Sequence, residues 1–199
     1  KKMAVKLVKP INHKKVVKIT NQDFEAKMRE LRVNSDIAVA VSGGPDSLAL
    51  MHLSNRYALN NNINLTVLSI DHGIRAESSK EIVWLKKVAK KNKINFYSTK
   101  LKKKINSSNT LSKARTLRYE ALSKYCNKKK IKFLLTAHHL DDEIENFLMR
   151  LIRGSGVKGL SSLKVKSRYK NTKLILVRPL LEYSKKSLVA YLSCLLYTS

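Results

Sequence analysis

Short apolar runs recur along the chain and are separated by stretches with helical spacing. The runs are rich in Val, Ile, Leu and Phe and have the length of buried strands. They predict strands at 37–41, 65–70, 94–98, 133–137 and 174–177. Apolar residues three and four positions apart predict helices at 23–31, 47–59, 80–91, 111–129 and 141–153.

Strands that alternate with helices of this length indicate a parallel sheet covered by helices on both faces. We therefore predict an α/β fold, doubly wound, with a mainly parallel, five-stranded Rossmann-like sheet. In such sheets ligands bind beyond the carboxyl ends of the strands, near the point where the strand order reverses. Polar residues that follow the first, second and fourth strands are expected to meet at that edge: Ser42 to Ser47, Asp71, His72, Arg75, His138, His139, Asp141 and Asp142.

The turn after the first strand reads Ser-Gly-Gly-Pro-Asp-Ser, at residues 42–47. It matches neither the Walker loop, which needs a lysine, nor the GxGxxG dinucleotide fingerprint. Its glycines permit positive φ and close backbone approach, and the unpaired N–H groups of the following helix attract an anion. This predicts a pyrophosphate loop in which Asp46 needs a cation beside it, either Mg²⁺ or a substrate amine. The alternative is a tight turn with an acidic helix cap.

The net charge of the chain indicates a class of binding partner. The 199 residues include 41 Lys and Arg against 14 Asp and Glu, a formal net charge of +27. A field of this strength attracts polyanions, which favours nucleic acid as a partner. The alternative is a codon-usage bias, because many of the lysines lie beside asparagines.

The cysteine spacing and the hydropathy pattern exclude several classes of protein. Cys126 and Cys194 lack the spacing of a zinc site or an iron–sulfur cluster, so we interpret both as ordinary thiols. No apolar run has the length of a transmembrane helix, and the basic start lacks a signal-peptide core. These features predict a cytoplasmic protein.

The loop SGGPDS resembles the SGGxDS loop of the PP-loop ATP pyrophosphatases, which split ATP into AMP and pyrophosphate. Within that superfamily the chain is similar to the tRNA(Ile)-lysidine synthetases. The motifs that carry the similarity are LSIDHGIR at 68–75, ARTLRY at 114–119, TAHHLDDEIE at 136–145, RLIRGSGVKGLSSL at 150–163 and RPLL at 178–181. Together they cover roughly residues 36–190, and the ordered set is far more specific than the loop alone.

The resemblance implies a sheet of the adenine nucleotide alpha hydrolase type and an ATP-dependent ligase. Lysine would be joined to C2 of the wobble cytidine of tRNA(Ile) with a CAU anticodon, through an adenylated cytidine, with Mg²⁺ as cofactor. The implied substrates are ATP, free L-lysine and that tRNA, and a homodimer is the candidate assembly.

The resemblance also implies roles for individual residues. The catalytic set comprises Asp46, Arg118, His138 and Asp142. The nucleotide-binding set comprises Ser42, Gly43, Gly44, Pro45, Asp46, Ser47, Asp71 and His72. Contacts with lysine or tRNA are implied for Arg75, Arg115 and Glu145, and Mg²⁺ ligation for Asp46 and Asp142.

Helical spacing supports two of these groupings. Arg115 and Arg118 lie three residues apart and share a helix face, so both can reach one anion; the alternative is a solvated basic face. His138 and Asp142 lie four apart and stack in the same way. The alternative for that cluster is helix capping, in which acids complement the helix dipole.

The chain divides into three predicted segments. Residues 1–22 form a basic arm, 23–190 the catalytic domain, and 191–199 an apolar tail interpreted as a truncation, with C-terminal tRNA-binding domains absent. Two rival functions remain. One is another PP-loop tRNA-modifying or amide-forming enzyme, although a thiolase is expected to carry cysteine pairs. The other is an inactive nucleotide- or RNA-binding remnant.

Overall fold

A computed structural model of the protein describes residues 18–71, 77–100, 110–152 and 163–197. Within these ranges the helices are α1 (Asn21–Glu30), α2 (Pro45–Asn60), α3 (Glu77–Lys91), α4 (Thr110–Lys128), α5 (Leu140–Ile152) and α6 (Lys185–Tyr197). The strands are β1 (Ile37–Ala40), β2 (Leu65–Asp71), β3 (Asn95–Lys100), β4 (Phe133–Leu135), β5 (Lys166–Arg168) and β6 (Ile175–Val177).

The strands form one sheet in the order β3-β2-β1-β4-β6-β5. All neighbours pair in parallel except β5, which runs antiparallel to β6 at the edge. The predicted α/β fold is confirmed, but the predicted count of five strands is wrong, because β5 adds a sixth. Its sequence, Lys-Ser-Arg, has no apolar pattern. Pairing with β6 and the Arg178 guanidinium, whose Nη1 donates to Ser167 Oγ at 3.2 Å, stabilise this strand.

Alternating strand residues feed two separate apolar clusters, one on each face of the sheet. Ile37 and Val39 pack with α1, α2, α3 and α6, whereas Ala38 packs with Leu122 and Cys126 of α4. Because strand side chains point alternately to opposite faces, near-continuous apolar strands need cover on both sides. The helices on both faces therefore follow directly from the composition of the strands.

The last helix is an element that the apolar pattern did not predict. Residues 191–197 lie in α6, which packs against α2, with Leu188 fully buried between them and the sheet. Tyr191 Oη donates to Asn21 Oδ1 at 2.8 Å, and the Lys185 N–H donates to Asp141 Oδ2 at 2.7 Å. Much of the segment set apart as a tail thus belongs to this helix, while the division into domains stays a prediction.

The strand order reverses beside β1. The chain proceeds from β1 to β2 and β3 on one side and then crosses to β4 on the other. The carboxyl ends of β1 and β4 consequently lie next to each other at the switch point, where ligands bind in open α/β sheets. None of the described helices is both long enough and apolar enough to cross a bilayer.

The burial of the two cysteines predicts different thiol reactivity. Cys126 is fully buried, and burial raises the pKa of its thiol to about 12, whereas Cys194 is exposed on α6. Since the thiolate is the reactive species, a disulfide reagent is expected to modify Cys194 in the native protein and Cys126 only after denaturation. Peptide mass spectrometry of the labelled protein measures both, with Cys194→Ser as control. Equal native labelling of the two would contradict the packing of α4.

Candidate active site

The glycine-rich turn between β1 and α2 is held by its own two serines. Ser47 Oγ donates to the Gly44 carbonyl at 2.9 Å and accepts from the Ser42 N–H at 3.2 Å. Gly43 has φ +89°, a conformation that favours glycine, but Gly44 is an ordinary extended N-cap at φ −71° followed by Pro45. Only the first glycine therefore uses positive φ. The nearest neighbour of a Cβ on Gly44 would be Ser42 Oγ at 3.9 Å, so its face toward the cavity is open.

A cavity of about 260 Å³ lies at the switch point between the ends of β1 and β4. Its apolar walls are Leu68 and Ile70 of β2 and Leu122 of α4. Its polar lining comes from the glycine-rich turn, α4, the turn after β4 and α5: Ser42, Gly44, Asp46, Ser47, Arg118, Thr136, His138, His139 and Asp142. The structure thus brings together all four residues that the resemblance assigns to catalysis and four of the six loop residues; Gly43 and Pro45 are not among the residues that line the cavity.

The imidazole of His139 lies beside the Asp46 carboxylate. His139 Nε2 lies 3.5 Å from Asp46 Oδ2 and 3.6 Å from Asp142 Oδ2, and its Nδ1 lies 3.4 Å from Asp141 Oδ2. The His139 side chain is only 7% exposed. Asp46 Oδ1 is buried and has no hydrogen-bond partner among the described residues. Sequence reasoning placed His139 in the cluster but gave it no role, because adjacent histidines look alike without the fold.

Asp142 combines the two roles that the sequence left open. Its Oδ2 accepts the His139 N–H at 2.9 Å, which caps the start of α5 at Leu140. An acid in the first helical turn also complements the helix dipole. The same carboxylate lines the cavity and is 36% exposed, so the other oxygen remains available to a ligand.

His138 faces away from the acids and is held as a neutral ring. Its Nε2 lies 3.2 Å from Arg115 Nη2, and its Nδ1 lies 3.0 Å from Thr136 Oγ1. A guanidinium only donates, so Nε2 must be the acceptor, and Nδ1 therefore carries the proton that points to Thr136. Burial, together with the charges of Arg115 and Arg178, lowers the pKa of His138 from 6.5 to about 4. The ring is a hydrogen-bond acceptor at neutral pH.

The two arginines on α4 have different surroundings. Arg118 lines the cavity, and its Nε is buried without a hydrogen-bond partner among the described residues. Arg115 contacts His138 instead. Both guanidinium carbons lie near the ring of Tyr119, at 5.8 Å for Arg115 and 5.5 Å for Arg118. The aromatic face stabilises the two neighbouring cations, of which Arg118 alone lines the cavity.

Four other predicted site residues lie elsewhere or outside the described ranges. Asp71 ends β2, is 3% exposed and lies 3.8 Å from Lys100 Nζ, beside a separate cavity against α3. Glu145 is exposed on α5 and is not among the residues that line the main cavity. His72, Arg75 and the loop 154–159 fall outside the described residues.

The carboxylates at the cavity fit the requirements of Mg²⁺. The described residues contain no group of three or more His, Cys, Asp or Glu side chains arranged to hold a metal. Mg²⁺ is commonly bound by one or two carboxylates together with substrate phosphates, and it keeps several waters. The unpartnered Oδ1 of Asp46 and the part-exposed carboxylate of Asp142 supply this donor set.

A parallel α/β sheet with an anion loop at its switch point defines a nucleotide-binding α/β protein. The PP-loop domain family matches residues 12–196, and the chain belongs to this family.

Two curated proteins are similar in sequence to most of this chain. The chain is 48% identical over 159 residues to the tRNA(Ile)-lysidine synthase of Rickettsia bellii, covering 80% of this chain and 36% of that protein. It is 41% identical over 174 residues to the enzyme of the same name from Rickettsia typhi, covering 86% of this chain and 40% of that protein. The chain therefore spans about two fifths of the length of these curated relatives.

Solved structures share the fold at lower identity. The U34-tRNA thiolase NcsA from Methanococcus maripaludis matches with a TM-score of 0.72 and 24% identity, over 87% of this chain and 63% of that one. The NH3-dependent NAD synthetase from Campylobacter jejuni matches with a TM-score of 0.54 and 16% identity, over 89% and 74% of the respective chains. At these identities the likeness shows the fold alone.

The contacts of His138 predict an unusual titration. Its imidazole is expected to titrate near pH 4, and Arg115→Ala is expected to raise this pKa by removing a cation 3.2 Å away. Because the folded pKa lies below the unfolded value, stability is fully present above pH 6.5 and declines as pH falls towards 4. NMR titration of the His138 ring measures the pKa, with Lys113→Ala as a control on the same helix. A value near 6.5 would contradict the neutral, acceptor role.

Proposed function

We propose that this chain is the ATP-activating catalytic part of a tRNA(Ile)-lysidine synthetase. The observation that carries the proposal is the single cavity lining in which Asp46 of the loop meets Arg118, His138 and Asp142. The named relatives at 40–48% identity support the same activity. The reaction would ligate lysine to the wobble cytidine of tRNA(Ile) with a CAU anticodon, using ATP and releasing AMP and pyrophosphate.

The first half-reaction activates the base. The C2 oxygen of cytidine attacks the α-phosphorus of ATP, an O–P bond forms, and pyrophosphate leaves. The N–H groups at the start of α2, with Ser42 and Ser47, would bind the pyrophosphate end. Arg118, whose Nε is buried and unpartnered in the described part of the chain, would bind the α-phosphate. Asp46 and Asp142 would hold Mg²⁺, which would supply charge neutralisation for the leaving pyrophosphate.

The second half-reaction transfers lysine. Its ε-amine attacks C2, a C–N bond forms, and AMP leaves with the former C2 oxygen. The ammonium must lose a proton to solvent before attack, because His138, whose pKa is lowered to about 4, is too weak a base to hold that proton at neutral pH. His138 would instead act as a hydrogen-bond acceptor, and Asp141 and Asp142, which begin α5, would bind the ammonium before attack. Glu145 lies exposed farther along α5 and would contact lysine or tRNA outside the cavity lining. Apolar walls at Leu68 and Leu122 limit water in the cavity.

The excess of positive charge supports tRNA as the macromolecular partner. A net charge of +27 produces the long-range attraction that nucleic-acid binding requires. We place the protein in the cytoplasm with its substrates, and a homodimer is the candidate assembly.

The direct test measures the incorporation of labelled lysine into tRNA. The complete gene product containing this chain is incubated with ATP, Mg²⁺, labelled lysine and tRNA(Ile) bearing the CAU anticodon. Label is expected in the tRNA, with AMP and pyrophosphate formed in equal amounts. Asp46→Ala is expected to lower pyrophosphate release at least about a hundredfold, because the loop loses its acid. The matched control Glu30→Ala removes an exposed acid of α1 and leaves the rate unchanged. No transfer by a folded wild-type enzyme would overturn the proposal.

Electrostatic RNA binding predicts a steep salt dependence. Affinity of the chain for tRNA is expected to fall about a thousandfold between 50 and 200 mM salt, since neutralised phosphates release counterions. Fluorescence anisotropy of labelled tRNA measures the slope. A flat response would favour codon usage as the origin of the lysine excess.

A further inference from the structure

His139 lies between acids that belong to two different turns of the sheet. Its Nε2 is 3.5 Å from Asp46 on the loop after β1 and 3.6 Å from Asp142 on α5, which follows β4. We propose that His139 is a positioning residue, which fixes the Asp46 carboxylate relative to α5 so that both acids face the cavity. This inference rests on the proposed function for its catalytic consequence, but its geometry stands on the contacts alone.

The backbone of His139 is anchored at the start of α5. Its N–H donates to Asp142 Oδ2 at 2.9 Å, and its carbonyl accepts from the Glu143 N–H at 3.3 Å. The next residue, Leu140, donates its N–H to the Tyr183 carbonyl at 3.0 Å. The imidazole therefore projects from a point that is tied both to α5 and to the segment before α6. Such an anchor can hold the loop acid in a fixed direction.

Both ring nitrogens of His139 face carboxylate oxygens. Nδ1 lies 3.4 Å from Asp141 Oδ2, and Nε2 lies near Asp46 and Asp142. With its proton on Nε2, the ring presents an N–H towards Asp46 and Asp142, whereas Nδ1 is buried and has no hydrogen-bond partner among the described residues. The positioning role therefore requires the proton on Nε2. His138 differs, because its ring contacts Arg115 and Thr136 instead.

Asp46 has little else to orient its carboxylate. Its Oδ1 is buried and has no hydrogen-bond partner in the described part of the chain, and the side chain is 23% exposed. Its other oxygen, Oδ2, lies 3.5 Å from His139 Nε2. Loss of the ring would remove this contact and leave the carboxylate freer to rotate away from the cavity. A residue of this kind typically changes metal affinity or activity by 10–100-fold when it is removed.

The test compares three variants of the same chain. His139→Ala removes the ring, His139→Gln keeps an amide N–H with the reach of Nε2, and His52→Gln is the matched control on α2, outside the cavity lining. Three quantities are measured: the dissociation constant of a fluorescent ATP analogue with and without Mg²⁺, kcat and KM for pyrophosphate release, and the melting temperature.

For His139→Ala we expect a kcat about 10–100-fold lower, a KM for tRNA within about twofold of wild type, and a weakened Mg²⁺-dependent part of analogue binding. His139→Gln is expected to restore most of kcat and most of the Mg²⁺-dependent analogue binding, and His52→Gln is expected to match wild type. Wild-type kcat and wild-type Mg²⁺ dependence in His139→Ala would overturn the proposal. A loss of kcat that Gln does not rescue, or that only follows a lower melting temperature, would also overturn it. If wild type transfers no lysine while the binding effect and its rescue persist, the proposed function fails and the positioning role stands.

Discussion

The parallel pairing of β1 with β4 is the constraint on which the site depends. Ile37 lies opposite Phe133 and Val39 opposite Leu135, so segments far apart in the sequence end at the same level of the sheet. Parallel strands carry their carboxyl ends to one edge, which places the glycine-rich turn beside the turn that bears His138 and His139. Ile37 and Val39 pack into one apolar cluster and the small Ala38 into the other, so the fit of unequal side chains on the two faces favours this register.

The two neighbouring histidines acquire opposite environments from this pairing. His138 is surrounded by Thr136 and the guanidinium of Arg115, so burial and positive charge keep it neutral. His139 lies among the carboxylates of Asp46, Asp141 and Asp142. One turn therefore supplies an uncharged hydrogen-bond acceptor and a ring that faces acids, two different chemical environments on adjacent residues.

The net positive charge of the chain and the acids at the cavity serve different electrostatic interactions. The chain carries a net +27, yet three of its 14 acids, Asp46 at the start of α2 and Asp141 and Asp142 of α5, surround the imidazole of His139. A basic exterior draws a polyanion towards the protein. Acids at the cavity favour small cations, and the Arg118 guanidinium favours anions. Long-range and short-range electrostatics thus favour different kinds of ligand.

The local pattern of apolar and polar residues was sufficient to predict most of the helices and strands. Apolar runs and helical spacing determined the α/β class and the strands β1 to β4 and β6. The Thr20 and Asp23 capping box explains why α1 begins two residues before the predicted start. The polar strand β5 and helix α6 were missed, because their stability comes from pairing with β6 and packing on α2. The sequence also located the glycine-rich turn and the acids near it. Only the tertiary structure decided that His139 faces Asp46, that His138 faces Arg115 and that Asp71 lies in another cavity, since side-chain direction at a strand end depends on neighbours distant in the chain.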